Sequence, residues 1–158
     1  MKAATVSQLK KELQQRNPDE LLQLCLRLAR FKLENKELLT YLLFEADHEE
    51  GYLETVKGVL NEQFSEINTS NYYYVKKSAR KILRGLRKYI RYSGKKETEV
   101  ELLLYFCEKL NQINPSIHRN RTLSNLYERQ INALEKKITA LHDDLQYDYG
   151  LILRELKM

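Results

Sequence analysis

The places where this chain could do chemistry are few, and they start with its histidines. Glu45-Ala46-Asp47-His48 has the Glu-x-x-His spacing of di-iron helical bundles, where ligands three residues apart share an inward helix face. Such a site needs a second Glu-x-x-His and two further glutamates, and the sequence holds no second copy. Asp47 also reads as a helix cap, which makes His48 a solvated helix-start residue. His142-Asp143-Asp144 are adjacent, so on a helix they point to different faces and do not converge on a metal. His118 stands alone in a loop. There is no Gly-rich phosphate loop, no His-Glu-x-x-His and no Cys-x-x-Cys. Cys25 and Cys107 fall on apolar stripes and read as buried free thiols in a reducing compartment. No nucleophile, base and oxyanion donor can be assembled from these motifs, so the chain is expected not to be an enzyme. No cofactor or metal is expected either.

The one strongly patterned stretch is basic. From Lys76 to Lys96 there are ten basic residues and no acid, whereas Glu34 to Glu66 holds nine acids against Lys36 and Lys57. The formal net charge of +5 therefore hides a strongly basic helix on an acidic body. On a helical projection, Lys76, Lys77, Arg80, Lys81, Arg84, Arg87, Lys88 and Arg91 span an arc of roughly 140°. Tyr72, Val75, Ala79, Ile82, Leu83, Leu86 and Ile90 occupy the opposite side. The arginines can fork onto phosphates or carboxylates, and Tyr73, Tyr74 and Tyr92 flank the face where they could stack on bases. Three occupants remain open: the acidic helices 34–66 or a protein partner, nucleic acid, or a membrane surface. The membrane is the poorest fit, because the apolar face is needed for the core.

Helices must position that face. Thr5-Val6-Ser7-Gln8 reads as a capping box opening a helix over about 6–15. Asn17-Pro18-Asp19-Glu20 combines a cap, a first-turn proline and acids at the positive dipole end. The helix it starts is expected to bury Leu21, Leu24, Cys25, Leu28 and Phe31. A third helix is predicted over 36–46, and a fourth starting at Asp47 with Tyr52, Val56, Val59, Leu60, Phe64 and Ile67 on one face. The basic helix follows the polar turn Asn68–Asn71 and closes at Ser93-Gly94, where glycine suits a left-handed C-terminal turn. A sixth helix covers about 97–112, with Val100, Leu103, Leu104, Cys107 and Leu110 inward. Asn114-Pro115 ends it.

Residues 122–158 are predicted as one long helix or a helix pair. Tyr127, Ile131, Leu134, Ile138, Leu141 and Leu145 are spaced 4, 3, 4, 3 and 4, a heptad seam. That seam serves either packing within the chain or a homodimer through Ile131, Leu134, Ile138, Leu141 and Leu145. Glu37–Tyr41 echoes Glu101–Tyr105 at an offset of 64, as stacked helical hairpins would.

Composition fits this inventory. With only 5 Gly and 2 Pro in 158 residues, the chain lacks the turns a sandwich or barrel requires. The expected fold is all-α, six to eight helices in one domain over 1–158, as a bundle or a short HEAT-like αα superhelix. No 18-residue apolar run exists, and Met1-Lys2-Ala3-Ala4-Thr5 has no apolar signal core, so the chain is expected to be cytoplasmic.

Two resemblances accompany this reading. Thr5-Val6-Ser7-Gln8-Leu9-Lys10-Lys11-Glu12-Leu13 looks like the opening of a SAP domain, a small DNA-binding helical hairpin. The Gly and Lys signature before that family's second helix is absent, and Asn17-Pro18-Asp19-Glu20 stands in its place. Over most of the chain, Glu37–Asp47, Ile67–Tyr72, Arg91–Gly94 and Lys96–Phe106 resemble a family of helical bacterial proteins, chiefly from Bacteroidetes, of unknown function. That resemblance implies a cytosolic all-α protein and brings no activity or site residues. The functional expectation is a macromolecular interaction protein, with nucleic-acid binding through residues 76–91 as the alternative.

Overall fold

Eight α-helices and no strand make up the structure, a computed structural model that describes residues 1–158. The helix starts follow the local chemistry. In α1 (Val6–Gln14), Thr5 accepts from the Gln8 N–H while the Gln8 side chain accepts from the Thr5 N–H, the reciprocal capping box. In α2 (Pro18–Phe31), Asn17 accepts from the Glu20 N–H at 2.8 Å and Pro18 takes the first helical position. After α3 (Leu33–Thr40) the helix widens into one π turn over Tyr41–Glu45, so the helix expected over 36–46 starts earlier and ends earlier. No helix is long and apolar enough to cross a membrane.

The chain divides into two compact units, Met1–Leu43 and Phe44–Met158, where the sequence suggests one domain. In the first unit α2 packs on α3, but no residue of α1, α2 or α3 is buried. The expected burial of Leu24, Leu28 and Phe31 is corrected accordingly: they are 42%, 61% and 77% exposed. Cys25 is exposed as well, so only Cys107 is the buried thiol expected of both. An amphipathic stripe specifies which face wants cover. It does not ensure that the same chain supplies that cover.

The second unit is built around α6 (Lys96–Asn111), which packs on α4 (Glu49–Ser65), α5 (Tyr72–Ser93), α7 (Arg121–Ile138) and α8 (Asp143–Lys157). Beyond the expected inward residues, Thr98, Leu102 and Phe106 are buried too, so α6 is covered around most of its circumference, with Glu97, Glu101, Tyr105 and Glu108 along the remaining side. Asp47 does not cap α4. That helix begins at Glu49 with His48 at its N-cap and no side-chain cap hydrogen bond. The His48 ring takes the space over Gly51, where an added Cβ would lie 2.4 Å from its Cδ2. Gly94 closes α5 at φ 69°, the left-handed turn expected there.

Residues 122–158 form a helix pair, broken over 139–142. Ile131, Leu134 and Ile138 are buried inside the chain, at 5%, 0% and 6% exposure, so they offer no surface to a second copy. Leu141 falls in the break and Leu145 is half-buried at the start of α8, so the heptad seam is not continuous. The echo at offset 64 is not structural either, since 37–41 run off the end of α3 while 101–105 lie mid-α6. Because Phe106 is fully buried against α6's neighbours, Phe106→Ala is expected to cost about 3–5 kcal/mol, read as a fall in the urea midpoint.

Candidate functional site

The basic face is held outward by what the rest of α5 buries. Val75, Ala79, Ile82, Leu83, Leu86 and Ile90 enter the core of the second unit. Two tyrosines fix the helix at its ends. The Tyr72 hydroxyl donates to the Ser116 carbonyl at 2.8 Å, and the Tyr52 hydroxyl donates to the Tyr89 carbonyl at 2.6 Å. With that face anchored, Lys77, Arg80, Lys81, Arg84, Arg87, Lys88 and Arg91 are exposed, and Lys76 is half-buried. The structure thus brings all eight residues singled out in the sequence onto one rigid helix.

Electrostatically the face is poorly compensated. None of Lys76, Lys77, Arg80, Lys81, Arg84, Arg87 and Arg91 has a carboxylate within ion-pair distance. Two ion pairs of the stretch 34–66 lie away from these seven cations: Glu54 lies 4.0 Å from Lys57, and Glu49 lies 3.4 Å from Lys95. Glu49 also accepts from Ser93 at 2.5 Å and from Thr98 at 2.7 Å, tying α4 to the α5–α6 turn. Tyr73 and Tyr74 are exposed at the N-terminal end of α5 and meet edge to face, with centroids 5.4 Å apart. Tyr92 is half-buried and stands edge to face against Tyr89 at the other end.

The remaining polar groups knit helices together. Lys57 of α4 donates to Glu101 of α6 at 2.8 Å, and Tyr149 of α8 donates to the same carboxylate at 3.1 Å and to Glu97 at 3.3 Å. Burial works against the charge on Lys57, but Glu101 and then Glu54 outweigh it and raise its pKa. Burial, and then the Glu101 charge, push the Tyr149 phenol up. A cleft of about 500 Å³ lies beside His118, whose Nε2 is 2.7 Å from Asn111 Oδ1 and whose ring stands edge-on to Tyr127. His142 caps α8, accepting from the Asp144 N–H at 3.4 Å. No three His, Cys, Asp or Glu side chains gather where they could hold a metal. This polar network was not singled out from the sequence. Its only signal was that Glu97 and Glu101 sit four residues apart beside the apolar stripe of one helix.

Comparison with protein-family models, curated proteins and solved structures finds no match to this chain.

Two consequences of burial can be measured. Burial pushes the Cys107 thiol and the Tyr127 phenol each up to about 12, from 9.0 and 10.0. The unfolded chain ionises these groups first, so their contribution to stability is intact below about pH 9 and lost as the pH rises towards 12. Urea midpoints are expected to be flat near neutrality and to fall over that range, less steeply in Tyr127→Phe. A thiol reagent is expected to modify Cys25 in the native chain and Cys107 only after unfolding, which mass spectrometry checks.

Proposed function

We propose that this chain is a non-enzymatic macromolecular interaction protein and that the α5 face binds an acidic partner protein. The observation that carries this reading is the row formed by Lys77, Arg80, Lys81, Arg84, Arg87 and Arg91, exposed cations without a carboxylate at ion-pair distance, set on a helix whose other face is locked in the core. Solvent-exposed cations cost little to keep, but a same-sign row without acids spends stability through self-repulsion and raises the local potential. Arginines at 80, 84, 87 and 91 offer flat, bidentate donors to carboxylates along more than two helical turns. A cytoplasmic location accompanies the proposal, supported by two free cysteines of which one is exposed.

Tyr73 and Tyr74 favour a second reading, nucleic acid, because exposed aromatic rings beside arginines supply the stacking platform such complexes use. Phosphate contacts would dominate, giving weak sequence preference. The two partners separate in one experiment. Affinity capture from a lysate, with and without nuclease, is expected to retain an acidic protein in both arms. Loss of all bound material on nuclease treatment would replace the first reading by the second.

The same face supplies a quantitative check of the nucleic-acid reading. Engagement of about six phosphates on duplex DNA predicts a log–log salt slope near −5. Replacing Arg84, Arg87 and Arg91 by Gln would then reduce that slope by about three and weaken all sequences alike, with helicity retained. If an acidic protein is the partner, wild type shows no gel retardation at low salt, and the triple variant loses the captured protein.

A further inference from the structure

The most exposed apolar surface of the molecule lies elsewhere, on α2. Leu21, Leu24, Leu28 and Phe31 are spaced 3, 4 and 3, the a/d pattern of a helix seeking a helical partner. Leu24, Leu28 and Phe31 stand 42%, 61% and 77% exposed. Grooves flank this ridge on both sides. One, of about 660 Å³, runs between α1 and α2 over Leu9, Leu13 and Leu24. The other, of about 180 Å³, runs between α2 and α3 over Cys25, Leu28 and Leu42. A surface with an apolar ridge between two apolar grooves can dock on a second copy of itself, ridge into groove.

Charge decides the partner and its direction. Bordering the apolar stripe and lining the α1–α2 groove, Glu20 lies at the N-terminal end of α2 and Arg27 towards its C-terminal end. Run antiparallel to a copy of itself, the acidic end of each helix meets the basic end of the other, and the helix dipoles oppose favourably. Run parallel, like ends coincide. Glu20 already pairs with Arg16 at 3.2 Å, a half-exposed contact that leaves the carboxylate room for a second cation. Area points the same way. The exposed fractions of Leu9, Leu13, Leu24, Leu28, Phe31 and Leu42 amount to on the order of 600 Å² of apolar side chain per copy. That is at the upper limit for a monomer's largest patch, and near the ~800 Å² each partner buries in a standard interface. Within residues 1–43 only Tyr41 is buried, so the apolar side of α2 gains no cover from α1 or α3.

We propose that the protein is a homodimer in which the α2 helices of two copies pair antiparallel across a two-fold axis. The axis passes near Leu24 and Cys25, close to the middle of the helix. This assembly uses neither the α5 face nor residues 131–145, so it stands or falls independently of the function proposed above.

Light scattering on the full chain is expected to give twice the 18.9 kDa chain mass. Leu28→Glu is expected to weaken the dimer by on the order of 30-fold or more without changing the helical circular dichroism, since Leu28 is exposed within its own chain. A short bismaleimide is expected to join two chains through Cys25 and to fail in Cys25→Ser; Cys107 is buried and does not react. Glu20→Lys is expected to weaken the dimer, and Arg27→Glu added to it to restore dimerisation, which a parallel pairing would not do. A monomer at high concentration, or a dimer indifferent to Leu28→Glu, overturns the proposal. A Leu28-dependent dimer that does not cross-link through Cys25 overturns the antiparallel arrangement.

Discussion

Everything in residues 44–158 is organised by the enclosure of one helix. Four others surround α6, and its buried residues are found at positions 98, 100, 102, 103, 104, 106, 107 and 110, which leaves only the side of Glu97, Glu101, Tyr105 and Glu108 partly wet. A helix in that position must satisfy the polar side chains turned towards its neighbours from those neighbours, because leaving a buried polar group unpaired is costly. Each one is met. Thr98 donates to Glu49 of α4, Glu101 takes donors from Lys57 of α4 and Tyr149 of α8, and Glu99 pairs with Lys137 of α7 at 2.7 Å. No buried side-chain nitrogen or oxygen lacks a partner. These links fix which helix faces which flank of α6, something apolar packing specifies less sharply.

The outward direction of the basic face is a consequence of the same constraint. Once α6 claims the apolar side of α5, Tyr52 donates to the Tyr89 carbonyl and Tyr72 donates to the Ser116 carbonyl, α5 is held from rolling about its axis. The cations are then displayed at fixed angles, not on a mobile tail. Preorganisation of this kind reduces the entropy a partner has to overcome on binding.

Local chemistry was legible in the sequence, and partnership between elements much less so. Thr5 with Gln8, Asn17 with Pro18, Asn71 and Gly94 are found where their side chains or backbone preferences imply, because caps depend on three or four neighbouring residues. The two sides of α5 follow from a period that the helix itself enforces. Asp47 failed as a cap because the π turn over 41–45 carries the chain past it, and extra-wide turns leave no simple composition signal. The stripe on α2 was legible as apolar, but Leu28 and Phe31 are exposed, since periodicity is blind to whether the covering surface belongs to this chain. The run from Tyr127 to Leu145 read as one seam because 4-3 spacing continues through the break at 139–142, where Thr139 and His142 make local bonds instead. The α4–α6–α8 carboxylate links joined residues more than forty apart, a distance no single-sequence pattern reports.

The central position of α6 in the chain has a bearing on biosynthesis. Its partners lie on both sides of it in sequence: α4 and α5 precede it, α7 and α8 follow. As the polypeptide leaves the ribosome, Val100 to Leu110 can find α4 and α5 at once, while the flank meant for α7 and α8 has nothing to cover it. At ordinary elongation rates the remainder of the chain takes roughly 2–10 s to appear. For that interval the most deeply buried helix of the molecule presents an open side to solvent, the kind of nascent surface that chaperones hold.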